Sequence, residues 1–213
     1  MNKKTAFNVD ESTLEIRSVI QNTECPQDLS QWFAMRCTYS RELKAKALFD
    51  AEGIECFLPM KKDKVLKNAD DAKEVLSPAI HNLIFVKTTR SFMNIWKRQH
   101  EDDCPLRYMM DKSSDQPIIV REKEMEDFIR VTKESQDSIL YLDNPNVVQE
   151  KGQLVEIAVG PLKGVRGHIV RIRRDRRVVV SITGLLAVAL VHLPLSHFIF
   201  VNHEKESNQF LHA

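Results

Sequence analysis

The sequence predicts an α+β protein in which an N-terminal α/β sandwich is joined by a linker to a small antiparallel β-barrel. Strand-like and helix-like segments alternate between residues 32 and 135, which is typical of a sheet covered by helices. A stretch without clear periodicity follows, and after Gly152 short apolar stretches are separated by glycine-containing turns, which favours a barrel. We therefore divide the 213 residues into an N-terminal extension, a first domain, a linker, a second domain and a tail: 1–30, 31–136, 137–150, 151–203 and 204–213.

Composition and charge indicate an ordinary globular protein with two different parts. The chain is 43% hydrophobic and 29% charged, which is enough apolar material for a core. Its net charge is +1, but residues 151–203 carry +6 and residues 1–150 carry −4, so the two parts are expected to act separately. The longest apolar run, residues 184–191, is shorter than the roughly 20 residues of a membrane helix. No secretory signal follows the N-terminal methionine, and we expect no membrane partner.

The cysteines and histidines give no sign of a metal site. The four cysteines are Cys25, Cys37, Cys56 and Cys104. They form no CxxC pair, and no histidine stands near them at the spacing of zinc ligands. Because disulfides are rare in the cytosol, we expect reduced thiols in a cytoplasmic protein without metal or cofactor. Enzyme motifs such as the P-loop, GxSxG and HExxH are also absent, so we expect no enzymatic activity.

The first domain is predicted to begin with a strand, a helix and a second strand at residues 32–37, 41–52 and 54–59. The apolar residues expected on the buried helix face are Leu43, Ala47, Leu48 and Ala51. Ser40 is a suitable N-cap for this helix, and Gly53 stands where a C-terminal glycine belongs.

The rest of the first domain contains a predicted central strand and two more helices. Residues 61–77 are charged and mostly non-periodic, which predicts a loop or a mobile hairpin. Residues 80–87 are rich in β-branched and aromatic side chains and predict a central strand. Helical periodicity appears at residues 91–99 and 121–134, and residues 106–110 are expected to form an edge strand between them.

The second domain is predicted to contain four strands after the linker. Their expected ranges are 154–159, 165–173, 177–182 and 187–193. Gly160, Gly164 and Gly167 occupy positions where a barrel needs tight turns and positive φ, although any small β-barrel would use the same turn chemistry.

Several of these segments resemble the NusG family of transcription factors. Residues 32–33, Tyr39 and the helix at 41–52 are similar to the opening of its N-terminal domain, and residues 56–59 are similar to its second strand. Residues 77–86 are similar to its central strand, and Pro117-Ile118 fits the segment before its third helix. Two departures are Asn82, where the family often has glycine, and Leu83, which replaces an aromatic residue.

The second domain resembles the KOW module of the same family, which implies an SH3-like barrel. The residues that carry this likeness are Gly152, Gly160, Pro161, Gly164 and Gly167. Residues 180–184 are similar to a later strand of the module, but residues 185–193 are more apolar than usual. Some specialised relatives hide their polymerase site behind a C-terminal domain that refolds, and this apolar stretch leaves that alternative open.

The resemblance is greatest to specialised UpxY-type members, in residues 41–46 and 53–60. It implies a monomeric transcription elongation and antitermination factor that suppresses pausing or termination, for example on a capsular polysaccharide operon. The main partner would be the clamp helices of the RNA polymerase β′ subunit. The residues at the matching positions are Tyr39, Ile80, Leu83, Phe85, Tyr108 and Met110. Each of these side chains could instead belong to the core.

Two basic segments are candidates for further contacts. Lys97 and Arg98 match a family region that meets the polymerase gate loop or the non-template DNA, unless they belong to a solvated helix face. The second segment is an arginine run without interleaved aromatic residues, and its members are Arg171, Arg173, Arg174, Arg176 and Arg177. It is either a contact for RNA, DNA or a ribosomal protein, or a solvated hairpin tip. The family implies Rho or a small-subunit ribosomal protein as the KOW partner. The alternative function is a KOW-type RNA-binding or ribosome-associated protein.

Overall fold

The structure, a computed structural model, describes residues 29–66, 72–134, 139–142, 152–172, 175–182, 185–190 and 195–201. The N-terminal elements, in chain order, are β1 (Gln31–Cys37), α1 (Glu42–Ala51), β2 (Cys56–Phe57), β3 (Met60–Leu66), β4 (Ala72–Pro78), β5 (Leu83–Thr88), α2 (Arg90–Gln99), β6 (Leu106–Tyr108), β7 (Met110–Asp111), β8 (Gln116–Pro117), β9 (Ile119–Val120) and α3 (Glu122–Glu134). The C-terminal elements are β10 (Ile139–Leu142), β11 (Gln153–Ile157), β12 (Arg166–Ile172), β13 (Asp175–Ile182), β14 (Leu186–Leu190), a short 3₁₀ turn (Leu195–His197) and β15 (Phe198–Phe200). This arrangement confirms the predicted α+β class.

The N-terminal sheet has helices on both faces. Its strand order is β2-β5-β1-β6, and β9 also pairs with β1. The period-two alternation of β5 sends Leu83 and Phe85 to one face and Ile84 and Val86 to the other. Helix α3 covers the first face with Met125, Phe128 and Val131, and α1 and α2 cover the second.

The described residues of the charged stretch at 61–77 form two paired antiparallel strands, which agrees with a hairpin, one of the two predicted possibilities. Strands β3 and β4 pair from Met60↔Pro78 to Leu66↔Ala72, as a two-stranded sheet of their own. The predicted strand at 54–59 is shorter than expected, because only β2 pairs with β5. Pairing of β5 begins at Leu83, since Asn82 belongs to the preceding turn.

Helix α1 corrects two expectations. Arg41 occupies the N-cap position without a side-chain cap, and Ser40 has a positive φ of 52° instead of the extended backbone of a cap. The buried residues of α1 are Glu42, Ala45 and Phe49. Leu43, expected in the core, is 55% exposed, and the predicted partners Ala47 and Ala51 are exposed as well. Gly53, with φ of 67°, follows the helix end as predicted.

The C-terminal part is a six-stranded antiparallel sheet in the order β10-β14-β13-β12-β11-β15. Strand β10 lies within the stretch predicted as linker and pairs with β14 from Ile139↔Leu190 to Leu142↔Ala187. Strand β15 was not predicted. Among the described residues no pairing joins β10 to β15, so closure into a barrel is not part of this sheet. Residues 186–190 of the apolar stretch form strand β14, and residues 191–193 of the predicted strand lie outside the described residues.

The glycines of the second domain have two different roles. Gly160 and Gly164 have φ values of 82° and 85°, as the turn prediction requires. Gly167 was also assigned to a positive φ, but it lies inside β12, opposite β13. There a Cβ atom would stand 2.7 Å from the Val179 carbonyl oxygen. Gly167 is therefore needed for the close approach of two strands.

Candidate functional site

Three candidate residues lie at the end of the N-terminal sheet where β1 stops and β5 starts. Tyr39 is 82% exposed, and Ile80 is half-buried against the core under α3. Leu83, the third of these residues, is the first residue of β5 and is buried. The turns that carry Tyr39 and Ile80 are held together, because the Cys37 N–H donates to the Asn82 carbonyl oxygen at 3.0 Å.

Phe85 lies in the core. Its side chain has no exposed surface, and its ring makes an edge contact with Phe128 of α3 at 5.9 Å between centroids. Phe57 of β2 contacts the same Phe128 ring at 5.9 Å. A partner cannot touch a ring that α3 already covers, so Phe85 supports the surface from beneath.

The structure separates Tyr108 and Met110 from the other candidates. Tyr108 pairs with Met35 and so belongs to the opposite face, where its ring contacts Phe33 at 5.4 Å. Its hydroxyl donates to the Asn94 side-chain oxygen at 3.1 Å. Met110, 45% exposed, lies in the small β7–β8 hairpin. The six predicted anchors therefore do not form one continuous surface.

An apolar rim packs against the core under α3, and Ile80 is its one member that the sequence predicted as a contact residue. Its residues are half-buried and pack against the buried cluster that contains Leu83 and Phe85. The rim consists of Phe57, Ile80, Met109, Ile118 and Ile129. Backbone bonds fix part of it, since the Ile118 N–H donates to the Met109 carbonyl and the Met109 N–H donates to the Ala34 carbonyl. Half-exposed apolar side chains around a packed core are suited to dock an amphipathic helix.

The second candidate contact is a basic cavity of about 400 Å³ beside α2. Lys97, Arg98 and Arg107 line it, with Glu101 as the acidic member of the lining. The Lys97 ammonium stands 4.5 Å from the centre of the Tyr108 ring, which is a cation–π contact. Burial lowers the pKa of Lys97, and the positive charge of Arg107 lowers it further. This concentration of positive charge fits a phosphate or carboxylate group.

The C-terminal sheet docks on α3. One Arg130 guanidinium nitrogen donates to the carbonyl oxygens of Pro161 at 2.8 Å and Lys163 at 3.0 Å. Apolar residues of the C-terminal part belong to the same buried cluster as Leu83 and Phe85, and they are Val155, Ile157, Leu162, Val165, Val178, Val180 and Ile182. A cavity of about 330 Å³ lies beside this contact, between α3 residues such as Asp127 and sheet residues such as Glu156 and Arg166.

The predicted arginine run is described only in part. Arg171 of β12 is the backbone pairing partner of Arg176 of β13, and Arg177 pairs with Val170 and is half-buried. Arg173 and Arg174 lie outside the described residues. Gly152, expected to open the KOW motif, lies against β12, where a Cβ atom would meet the His168 Cβ at 2.8 Å.

A sheet with helices on both faces, an apolar rim and a basic cavity is an arrangement suited to binding another macromolecule. Residues 30–129 match the NusG family, described as transcription termination factor nusG. This part of the chain is a NusG N-terminal domain, and the family implies a transcription elongation or antitermination factor that binds RNA polymerase. NusG-family proteins are non-enzymatic, so the prediction that the chain is not an enzyme is confirmed. No curated protein matches the chain.

Two further observations concern the described part of the chain alone. No helix there is long and apolar enough to cross a membrane. No group of three or more histidine, cysteine, aspartate or glutamate side chains stands there in a position to hold a metal ion.

Proposed function

We propose that this chain is a cytoplasmic, monomeric elongation and antitermination factor whose N-terminal domain binds the clamp helices of the polymerase β′ subunit. The NusG-family match over residues 30–129 carries the proposal. The apolar rim and the exposed Tyr39 support it, because a helical partner needs a few apolar anchors at an otherwise polar surface.

In this proposal the anchors are the rim residues together with Tyr39. Leu83 and Phe85 hold the sheet beneath them, and Met110 of the β7–β8 hairpin is proposed as a separate contact apart from the rim. A factor that binds the closed clamp more tightly than the open clamp shifts polymerase towards its elongating state. Pausing and termination are then suppressed without any chemical step.

The basic cavity at Lys97, Arg98 and Arg107 is the second contact of the proposal, directed at the gate loop or at phosphates of the non-template DNA. The C-terminal sheet is proposed to be a KOW barrel, supported by the turns at Gly160 and Gly164. Rho or a small-subunit ribosomal protein would be its partner. The target is proposed to be a specialised operon, such as one for capsular polysaccharide, from the UpxY-like segments of the sequence.

Neighbouring isoleucines provide a matched test. Ile118 belongs to the rim, whereas Ile119 is 50% exposed and is not part of the rim. We expect Ile118→Ala in the full chain to weaken binding to core polymerase about fivefold or more and to reduce antipausing activity in transcription assays. Ile119→Ala is expected to bind like the wild-type chain, and thermal unfolding would verify that both variants are folded.

A full chain that does not bind polymerase would overturn the proposal. If it bound RNA instead, and binding were lost when the arginine run Arg171–Arg177 was replaced, the RNA-binding alternative would take its place.

A further inference from the structure

Asn82 connects two turns at the end of the N-terminal sheet. Its carbonyl oxygen accepts from the Cys37 N–H at 3.0 Å, and its side-chain oxygen accepts from the Ser40 N–H at 3.3 Å. Its own N–H donates to the carboxylate of Glu42. The turn between β1 and α1 is thereby fastened to the turn before β5.

The fastened turn has an unfavourable backbone conformation. Tyr39 and Ser40 are consecutive residues with φ values of 59° and 52°, and Asn82 has φ of 61°. Asparagine tolerates this left-handed region, but tyrosine does so poorly because its Cβ atom crowds the backbone. Such conformations persist only where surrounding contacts enforce them, and they are concentrated at functional sites.

The hydrogen bonds of Asn82 form a network with Cys37, Ser40 and Glu42, and Glu42 is its buried side chain. It is 2% exposed in the first turn of α1, a helix without a side-chain N-cap. A buried carboxylate is unfavourable unless hydrogen bonds satisfy it, and the Asn82 N–H supplies one. The hydrogen bond from the Asn82 N–H therefore stabilises the buried Glu42 carboxylate and also joins the start of α1 to the turn before β5.

The turn that this network holds carries Tyr39, whose ring packs little against the rest of the protein. Tyr39 is 82% exposed, and the Arg41 guanidinium lies 5.5 Å from its ring centre. The Arg41 side chain is itself held in position, because its guanidinium donates to the Asp103 carbonyl oxygen at 2.9 Å. Leu43, 55% exposed, follows in the first turn of α1.

We propose that Glu42 and Asn82 are positioning residues that hold Tyr39 in its exposed, strained conformation as a preorganised anchor for polymerase. The inference rests on the proposed function and extends it from a binding surface to the residues that prepare it. An anchor already fixed in its bound conformation loses less conformational freedom on binding. Tyrosine is also among the residues most enriched at binding hot spots.

A double-mutant cycle on the full chain tests this coupling. We expect Tyr39→Ala to weaken polymerase binding about tenfold and Asn82→Ala to weaken it several-fold. Because Asn82 acts through Tyr39, the double variant is expected to bind no more weakly than Tyr39→Ala. Asn82→Asp retains the side-chain oxygen and tolerates positive φ, but it places a second carboxylate beside the buried Glu42, so it is expected to restore only part of the affinity. If Asn82→Ala does not fold, Asn82→Gly replaces it in the cycle, since glycine keeps the left-handed backbone.

Two outcomes would overturn the inference while leaving the proposed function intact. One is unchanged binding by Tyr39→Ala, and the other is a double variant whose loss equals the product of the two single losses, as a merely structural role for Asn82 predicts. A wild-type chain that does not bind polymerase would overturn both.

Discussion

Arg130 of α3 reaches across to the C-terminal sheet, where its guanidinium donates to the Pro161 carbonyl oxygen at 2.8 Å. The same nitrogen donates to Lys163 at 3.0 Å, so one side chain closes over the turn that contains Gly160 and Gly164. The opposite side of α3 packs on the N-terminal sheet through Phe128. This helix is therefore in contact with both parts of the chain.

Arg130→Ala is expected to loosen this contact. Hydrogen bonds to a charged donor contribute about 1.5–3 kcal/mol when buried, but the Arg130 side chain is 40% exposed, so we expect a loss of about 1–2 kcal/mol. Hydrogen exchange should accelerate at the Gly164 and Val165 amides and remain unchanged along β1 and β5. Lys133→Ala, at an exposed position of the same helix, is the control and should leave exchange unaffected. Equal exchange in both variants would contradict the role of Arg130.

Local pattern was sufficient to predict much of the fold. The alternation of β5 and the amphipathic face of α3 follow from neighbouring residues, so they could be recognised without a structure. The buried face of α1 could not, because Glu42 enters the interior through its bond to Asn82, 40 residues away. A charged residue is normally assigned to the surface. The sequence therefore placed Leu43, and not Glu42, on the buried face of α1.

Arg98→Ala is expected to reduce the salt dependence of nucleic-acid binding. Arg98 lines the basic cavity beside α2, and each phosphate contact on a single strand contributes about 0.7 to the slope of log affinity against log salt. Titrating the full chain with a single-stranded DNA oligonucleotide at several salt concentrations would measure the slope. Lys112→Ala, at an exposed turn between β7 and β8, is the matched control. Identical slopes for the wild-type chain and both variants would show that the cavity does not bind phosphate.

The two kinds of glycine are expected to respond differently to alanine. At Gly164 a Cβ atom would have open space, so Gly164→Ala incurs only the left-handed backbone penalty of about 1–2 kcal/mol. At Gly167 the Cβ atom would meet the Val179 carbonyl oxygen at 2.7 Å, and backbone atoms cannot turn aside. We expect Gly167→Ala to cost about 3 kcal/mol, at the upper end of overpacking effects. Urea unfolding would compare the two, and a larger loss at Gly164 would contradict the role of close approach.

The candidate site was harder to predict than the fold, because it is made of segments without periodicity. Met109 and Ile118 lie between very short strands, and their place in the rim depends on backbone bonds to each other and to Ala34. Tyr108 was assigned to the docking surface by position in the sequence, but its pairing with Met35 turns it to the other face. Pairing partners distant in sequence decide such orientations, and a single chain does not reveal them.

The thiol of Cys37 makes folding stability depend on alkaline pH. Burial, together with the smaller effects of the charges of Cys104 and Glu42, raises the pKa of Cys37 from 9.0 to about 12. The folded chain therefore retains a proton that the unfolded chain releases. This contribution to stability is fully present below pH 9.0 and is lost as the pH rises towards 12.

We expect the free energy of unfolding to fall above pH 9 by up to about 1.4 kcal/mol per pH unit for this thiol. Cys56, whose pKa burial raises to about 11, adds a similar slope over a narrower range. Cys104, whose pKa burial also raises, contributes in the same direction. Urea unfolding of the reduced chain between about pH 8 and pH 9.5 measures the total for these thiols and stays below pH 10.0, around which Tyr141 begins to contribute. Cys37→Ala should lower stability at every pH because it leaves a cavity, and it should also flatten the slope. A slope that is the same with and without Cys37 would show that its thiol titrates alike in the folded and unfolded chains.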